Sequence, residues 1–371
     1  MKVAVIKLGS RISISSSGTS GGTGEVVSII KMLVNGGAEV DAYTKVLDKD
    51  ITPELFSIYD IEDNYMLIND RGYDALIVLN GNVNYFGGVD SPSQTLNYWV
   101  INNFKGKVFY VMCDCNLLLK QIWSSIEKKK WSSNYAKEDI YITRDDIIYI
   151  SQARFVNKVK EKALKNDINI KDVIYYPMEK FPLITMNAND YEFNESPTYD
   201  LLYGGTFRGG KREDDMINFY FGYDDVYNVE MFGKISEKDF KQDKIEYLSK
   251  PNFGQSVSYD NFGDKMLEAK ATVIIEDPLY KSWGDLAQRI YESIVVGNVT
   301  FIDRNYDFTK RVFTNKELVE YNYVKDRYDV MERLDALKDR KFRKHIIDLQ
   351  REDTAIDIDK YCRDFVALIG G

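Results

Sequence analysis

The stretch YDLLYGGTFRGGKREDDMINFY at residues 199–220 decides the fold. It opens on an apolar run, Tyr199–Tyr203, of strand type. Four glycines follow, around Arg208, Lys211 and Arg212, and a helix is expected from about Glu213 to Phe221. Strand, glycine-rich loop and helix in that order form the building unit of parallel α/β sheets. The glycines allow backbone N–H groups to approach a ligand closely. The helix N-terminus carries partial positive charge, and arginine presents forked donors suited to phosphate oxygens. The loop therefore reads as a diphosphate cradle, against the plainer alternative of a surface turn with solvated cations. It is neither a Walker A loop, having no Gly-Lys-Ser/Thr, nor a GxGxxG turn.

Working outward, the same alternation appears on both sides. Upstream strands are expected at Val3–Leu8, Glu39–Tyr43, Ala75–Leu79, Lys107–Met112 and Ile147–Ser151. Helices are expected at about Glu25–Val34, ended by Gly36-Gly37, and at Ser93–Asn102. A Ser/Gly-rich loop at 14–24 precedes the first helix. Downstream strands are expected at Asn228–Phe232, Ala271–Glu276 and Val299–Ile302, with a helix at about Asp285–Val295 and a charged helical tail from Glu317. The less periodic EKFPLITMNANDYEFNESPTYD, after Tyr176-Pro177, reads as a connection between two α/β halves, each Rossmann-like. Open sheets of this kind bind ligands at the carboxyl ends of their strands.

Bulk properties agree and exclude several classes. At 371 residues the chain is long enough for two domains. A net charge of −9 argues against nonspecific coating of nucleic acid but leaves room for one basic face. No apolar run approaches the length of a membrane span. The N-terminal MKVAVIKLGS is broken by Lys7 and reads as a buried strand, not a signal peptide. Cys113, Cys115 and Cys362 give neither a disulfide framework nor a zinc set, and suit a reducing cytoplasm. The one histidine, His345, stands in KFRKHIIDLQ as a solvated helix position, so a general base would be a carboxylate.

Other motifs add candidates. In LAQRIYESIVVG (286–297) Arg289 and Glu292 share a helix face. They are either a surface ion pair or a phosphate-binding arginine beside a ribose-binding carboxylate. In FYVMCDCNLLLKQIW (109–123) Asp114 stands just past a strand, as a helix cap or as a base. NYFGGVDSP (84–92) is a glycine turn with aromatics, and IEKKKW (126–131) is the clearest basic run of the first half. That run is a solvated loop or a DNA-backbone contact. GTSGGTGE (18–25) is a plain loop or a lid ending on Glu25. The pairs Asp214-Asp215 and Asp224-Asp225 point apart on a helix and read as surface.

In this order, the motifs MKVAVIKLG, NYFGG, CDCNLLLKQIW, ISQ (150–152), YGGTFRGGKR and RIYE resemble the T-even bacteriophage DNA β-glucosyltransferase family. The resemblance covers most of the chain. It implies a GT-B fold, two Rossmann-like α/β domains facing across a cleft. The first, 1–180, takes the DNA acceptor and is joined by the C-terminal helix 355–371; the second, 181–354, takes the nucleotide sugar. It implies an inverting transfer from a UDP-sugar, glucose in that family, to 5-hydroxymethylcytosine in duplex DNA. Asp114 matches the catalytic base. Arg208, Arg212 and Arg289 match the diphosphate ligands with Thr206 beside them, Glu292 the ribose carboxylate, Val257 the uracil contact, and Glu25 an acid near the donor. Tyr280 aligns with a donor-site tyrosine through an offset at 278–284. Asn84 and Phe86 match the loop that meets DNA at a flipped base, and Lys129 lies in a basic DNA-facing loop. Mg2+ or Mn2+ assisting UDP release, a monomeric state and the cytoplasm of an infected bacterial host are likewise implied. Departures fall on the sugar side: Thr206 stands for Ser, Tyr291 for Trp, and residues 9–24 and 45–70 differ. A pentose donor such as UDP-arabinose is the competing reading, with a small-molecule or glycan acceptor, or a non-enzymatic DNA-binding protein, as rivals.

Overall fold

The computed structural model describes residues 1–7, 21–44, 56–79, 92–112, 144–165, 171–207, 209–224, 226–258, 261–276, 278–307 and 311–371. These divide into two compact units. One comprises Met1–Ile184, Trp283–Asp285 and Asp357–Gly371; the other comprises Thr185–Ser282 and Leu286–Ile356.

The first unit carries a parallel sheet of β1 (Lys2–Lys7), β2 (Glu39–Thr44), β3 (Ser57–Asp60), β4 (Ala75–Leu79), β5 (Lys107–Met112), β6 (Ile148–Ser151) and β7 (Asp172–Tyr175). Their order is β3-β2-β1-β4-β5-β6-β7. The continuous apolar run ALIVL of β4 is buried at every residue, as a strand covered on both faces requires. Helices α1 (Gly21–Asn35), α2 (Pro92–Asn103) and α3 (Val156–Lys165) connect the strands. Helix α1 takes in Gly21–Gly24, which the glycine-rich composition had assigned to the loop. Its apolar residues Ile29, Ile30, Met32 and Leu33 are buried and anchor it. Strands β3 and β7 escaped the sequence reading because four-residue edge strands carry too little periodicity to see.

The second unit carries β8 (Tyr199–Thr206), β9 (Val229–Lys234), β10 (Asn252–Gly254), β11 (Ala269–Ile274), β12 (Val299–Asp303) and β13 (Tyr323–Val324). All pair in parallel, in the order β10-β9-β8-β11-β12-β13. Helices α4 (Lys211–Tyr220), α5 (Phe262–Leu267), α6 (Arg289–Val296) and α7 (Arg340–Thr354) belong to this unit. Helix α6 begins at Arg289 and not at the expected Asp285; Gly284, at φ +71°, ends a separate short helix, Pro278–Trp283, just before it. In each sheet the order reverses once, between β1 and β4 and between β8 and β11. Such a switch point is where open α/β sheets take ligands.

The final helix, α8 (Ile358–Gly370), packs on the first unit. Tyr361, Cys362, Phe365 and Ile369 form its buried stripe. The Tyr176 hydroxyl donates to the Tyr361 carbonyl at 2.5 Å, and the Tyr361 hydroxyl donates to the Pro177 carbonyl at 2.7 Å.

Strand β8 runs three residues beyond the expected Tyr203, so Gly204 and Gly205 are strand residues and not loop. Their job is close packing. Gly205 lies in register with Gly233 of β9, which sits at φ +123°. A Cβ on Gly233 would stand 2.0 Å from the Gly205 carbonyl oxygen. A Cβ on Gly204 would meet Phe232 at 2.6 Å and Phe262 at 2.9 Å. Gly233→Ala is therefore expected to cost on the order of 2–5 kcal/mol, combining left-handed backbone strain with overpacking. A clear drop in the thermal midpoint checks this, and an unchanged midpoint contradicts it.

Candidate functional site

The loop after β8 is shorter than the sequence implied. Gly209 and Gly210, at φ +63° and +65°, turn the chain into α4, and among the described residues, its chain neighbours aside, none has an atom within 4 Å of a Cβ placed on Gly210. The turn needs glycine for its backbone angles, not for packing. It delivers Arg212 to the second position of α4.

Arg212 is held from three sides. Its side chain is only 11% exposed. Nη2 donates to the Tyr203 hydroxyl at 3.0 Å and stands 3.7 Å from Glu276 Oε1. Burial disfavours the cation, but Glu276, Tyr203 and Tyr280 around it outweigh that and raise its pKa. Tyr203 is itself buried, its ring edge-on to Tyr220 at 5.3 Å. The Tyr220 hydroxyl donates to the Val273 carbonyl at 2.7 Å and accepts from the Val273 N–H at 2.8 Å. Both rings are thus tied to β11, across the switch point from the strand that carries Tyr203.

Arg289, the first residue of α6, lies with its guanidinium over the Phe262 ring at 3.9 Å, a cation–π contact. Its Nε is 3.0 Å from Glu292 Oε2, and the Glu292 side chain is 9% exposed. The pair forms within the helix, but its carboxylate is buried, unlike that of a surface ion pair. Burial raises the Tyr203 pKa, Glu276 adds to the rise, and Arg212 and Arg289 both oppose it. The two guanidinium groups therefore sit around one phenol. Phe262 packs on the cluster of Leu202, Phe232, Met266, Ala269 and Val296, and Val257 packs on the same cluster. Helix α6 is fixed at its far end by Gly297, at φ +92°, and by Arg351, which donates to the Ile294 and Val295 carbonyls at 3.3 and 2.7 Å. Arg212 Nε and Arg289 Nη1 are buried and have no hydrogen-bond partner among the described residues.

Beside Arg212 a cavity of about 320 Å3 is lined by Asp214, Asp215, Glu276, Lys281, Asp303, Asn305 and Tyr306. Asp214 pairs with Lys244 at 2.5 Å and stays exposed, as expected, yet both Asp214 and Asp215 also border this cavity. Burial pushes the Asp303 carboxyl above its ordinary value, opposed by the backbone hydrogen bond from Asn305 and by Lys281.

Of the sequence candidates, Thr206, Arg212, Val257, Tyr280, Arg289 and Glu292 all belong to the second unit. Thr206 is exposed at the end of β8, and Tyr280 lies near enough to Arg212 to act on its charge. Arg208, Asp114, Asn84, Phe86 and Lys129 lie outside the described residues, as does the side chain of Glu25 on α1. Sequence reasoning missed Tyr203, Phe262 and Glu276. Tyr203 directly precedes the two strand glycines, and Glu276 stands two residues past β11; both positions were visible. The stacking of Phe262 under an arginine from another helix was not.

Two doubly wound parallel sheets, the second with two arginines gathered at its switch point, are the organisation of a GT-B glycosyltransferase, and the chain is such an enzyme. The bacteriophage T4 beta-glucosyltransferase family model matches residues 1–182. The chain is 27% identical over 355 residues to the DNA beta-glucosyltransferase of Enterobacteria phage T4, covering 95% of this chain and 94% of that one. A mutant T4 enzyme in complex with UDP-glucose superposes with TM-score 0.76 at 25% identity, covering 100% of this chain and 97% of that one. The T4 enzyme in complex with UDP and Mn2+ gives TM-score 0.75 at 26% identity, with the same coverage. Among the described residues no helix is long and apolar enough to cross a membrane.

Proposed function

We propose that the protein transfers a sugar from a UDP-sugar to 5-hydroxymethylcytosine in phage duplex DNA, with inversion at the anomeric carbon. The observation that carries this reading is the pair of arginines gathered around Tyr203 at the β8/β11 switch point, Arg212 with its side chain 11% exposed and Arg289 half-buried beside the buried Glu292. Such a pair suits the two phosphates of a nucleoside diphosphate. Glu292, turned to the same helix face as Arg289, would accept the ribose hydroxyls, and Val257 would meet the base. The family relatives crystallised with UDP-glucose, and with UDP and Mn2+, support this choice of donor.

In this mechanism the donor domain is the second unit and the DNA domain the first. Asp114 removes the proton from the hydroxymethyl oxygen, which attacks the anomeric carbon from the face opposite UDP. Arg208, Arg212 and Arg289 stabilise the charge developing on the leaving diphosphate. The target atom is hard to reach in stacked duplex, so the nucleotide is flipped out, with Asn84 and Phe86 at the vacated place. Among the described residues no three His, Cys, Asp or Glu side chains converge as a metal cage. The described residues by themselves provide no carboxylate site for a divalent cation. The enzyme works as a monomer in the cytoplasm of the infected host.

Supplying UDP-glucose or UDP-arabinose with hydroxymethylated or unmodified duplex, and measuring UDP release, tests the reading. Release that requires both UDP-glucose and hydroxymethylated DNA supports it. A preference for the pentose would move the sugar assignment, in line with Thr206 and Tyr291. Release without dependence on DNA would overturn the acceptor. Changing Lys128, Lys129 and Lys130 together to Ala should raise the apparent KM for DNA. It should also flatten the salt dependence, by about 0.9 in log–log slope for each phosphate no longer neutralised. An unchanged slope would remove this run from the DNA face.

A further inference from the structure

The geometry points to Glu276 as a built-in competitor of the diphosphate for Arg212, a residue that sets how fast UDP leaves; this rests on the reading of Arg212 as a diphosphate ligand. Tyr203 and Glu276 hold Arg212 in different ways. The hydrogen bond that orients Nη2 goes to the Tyr203 hydroxyl at 3.0 Å, and Tyr203 is packed on Tyr220, itself bonded twice to β11. That arrangement is fixed by the fold. Glu276 Oε1 stands 3.7 Å from the same nitrogen, within ion-pair range but beyond a hydrogen bond. It supplies charge without fixing geometry.

A guanidinium this buried needs a counter-charge when no ligand is present. Among the described residues Glu276 is the carboxylate paired with it. A diphosphate on Arg212 brings negative charge into the same space, and the two anions repel. The displaced side chain has somewhere to go. Glu276 also lines the cavity of about 320 Å3 that contains Lys281. Binding then exchanges one anion for another at Arg212, and release reverses the exchange. Tyr203 keeps the guanidinium in place through both states.

Glu276→Gln keeps the shape and removes the charge. UDP should bind about 3- to 30-fold tighter, from loss of like-charge repulsion at several ångströms. Uridine, which has no phosphate, should bind as before. A chase experiment should show slower UDP release, and turnover should fall wherever release limits it. Asp214→Asn removes a charge from the same cavity away from Arg212 and should leave UDP affinity nearly unchanged. Unchanged or weaker UDP binding in Glu276→Gln overturns the inference. So does equal tightening in Asp214→Asn, which would mean a general field of the cavity. If Arg212→Ala also leaves UDP affinity intact, the reading of the site itself fails; if Arg212→Ala weakens UDP while Glu276→Gln does not tighten it, only the competitor role fails.

Discussion

Asp114→Asn is expected to reduce transfer by about 10²–10⁴-fold, the usual worth of a positioned general base. The amide keeps the shape of the carboxylate but cannot take up the hydroxymethyl proton. UDP-sugar affinity should stay within a few fold of the parent. The position of Asp114 two residues beyond β5 makes the expectation specific, since catalytic groups of open α/β sheets collect at those strand ends. Single-turnover kinetics with saturating donor isolates the chemical step. Near-normal turnover would take Asp114 out of the mechanism. A parallel loss of donor binding would recast it as a donor ligand.

Arg212→Ala carries the second-largest effect. It removes a charge-assisted hydrogen-bond donor from the leaving group, worth about 1.5–3 kcal/mol. That corresponds to roughly 10- to 100-fold weaker binding of UDP as well as of the intact donor. The substitution also removes the hydrogen bond to Tyr203 and the ion pair to Glu276, so some loss of thermal stability should accompany it. Calorimetric titration with UDP checks the first effect. An unchanged affinity would mean that the turn from β8 into α4 is not the diphosphate cradle.

Much of the fold was legible because parallel strands announce themselves. Runs such as ALIVL (75–79) and VFYV (108–111) are buried on both faces, so composition alone marks them. The edge strands β3, β10 and β13 were illegible for the opposite reason, with two to four residues each and little periodicity. The four glycines of 204–210 looked alike as letters. Gly204 answers to the Phe232 and Phe262 rings on neighbouring elements, Gly205 to the Tyr203 ring beside it, and Gly209 and Gly210 to positive φ at a helix start. Only three-dimensional packing separates them. In the same way Arg289 and Glu292 were visible as a pair three apart, while Phe262 and Tyr203, which decide where the arginines point, come from elsewhere in the chain. The first unit's candidates, Asp114, Asn84, Phe86 and Lys129, rest on motif order and on the family, not on geometry.

The most direct test of the account is the mass of the modified nucleoside. Purified protein is incubated with UDP-glucose and a duplex containing 5-hydroxymethylcytosine, the DNA is digested, and the nucleosides are weighed by mass spectrometry. The expected product is a hydroxymethyldeoxycytidine bearing one added hexose, in β configuration by NMR, with one UDP released for each. Hydroxymethyldeoxycytidine recovered unchanged, from protein that binds UDP normally and with either UDP-glucose or UDP-arabinose supplied, would contradict it.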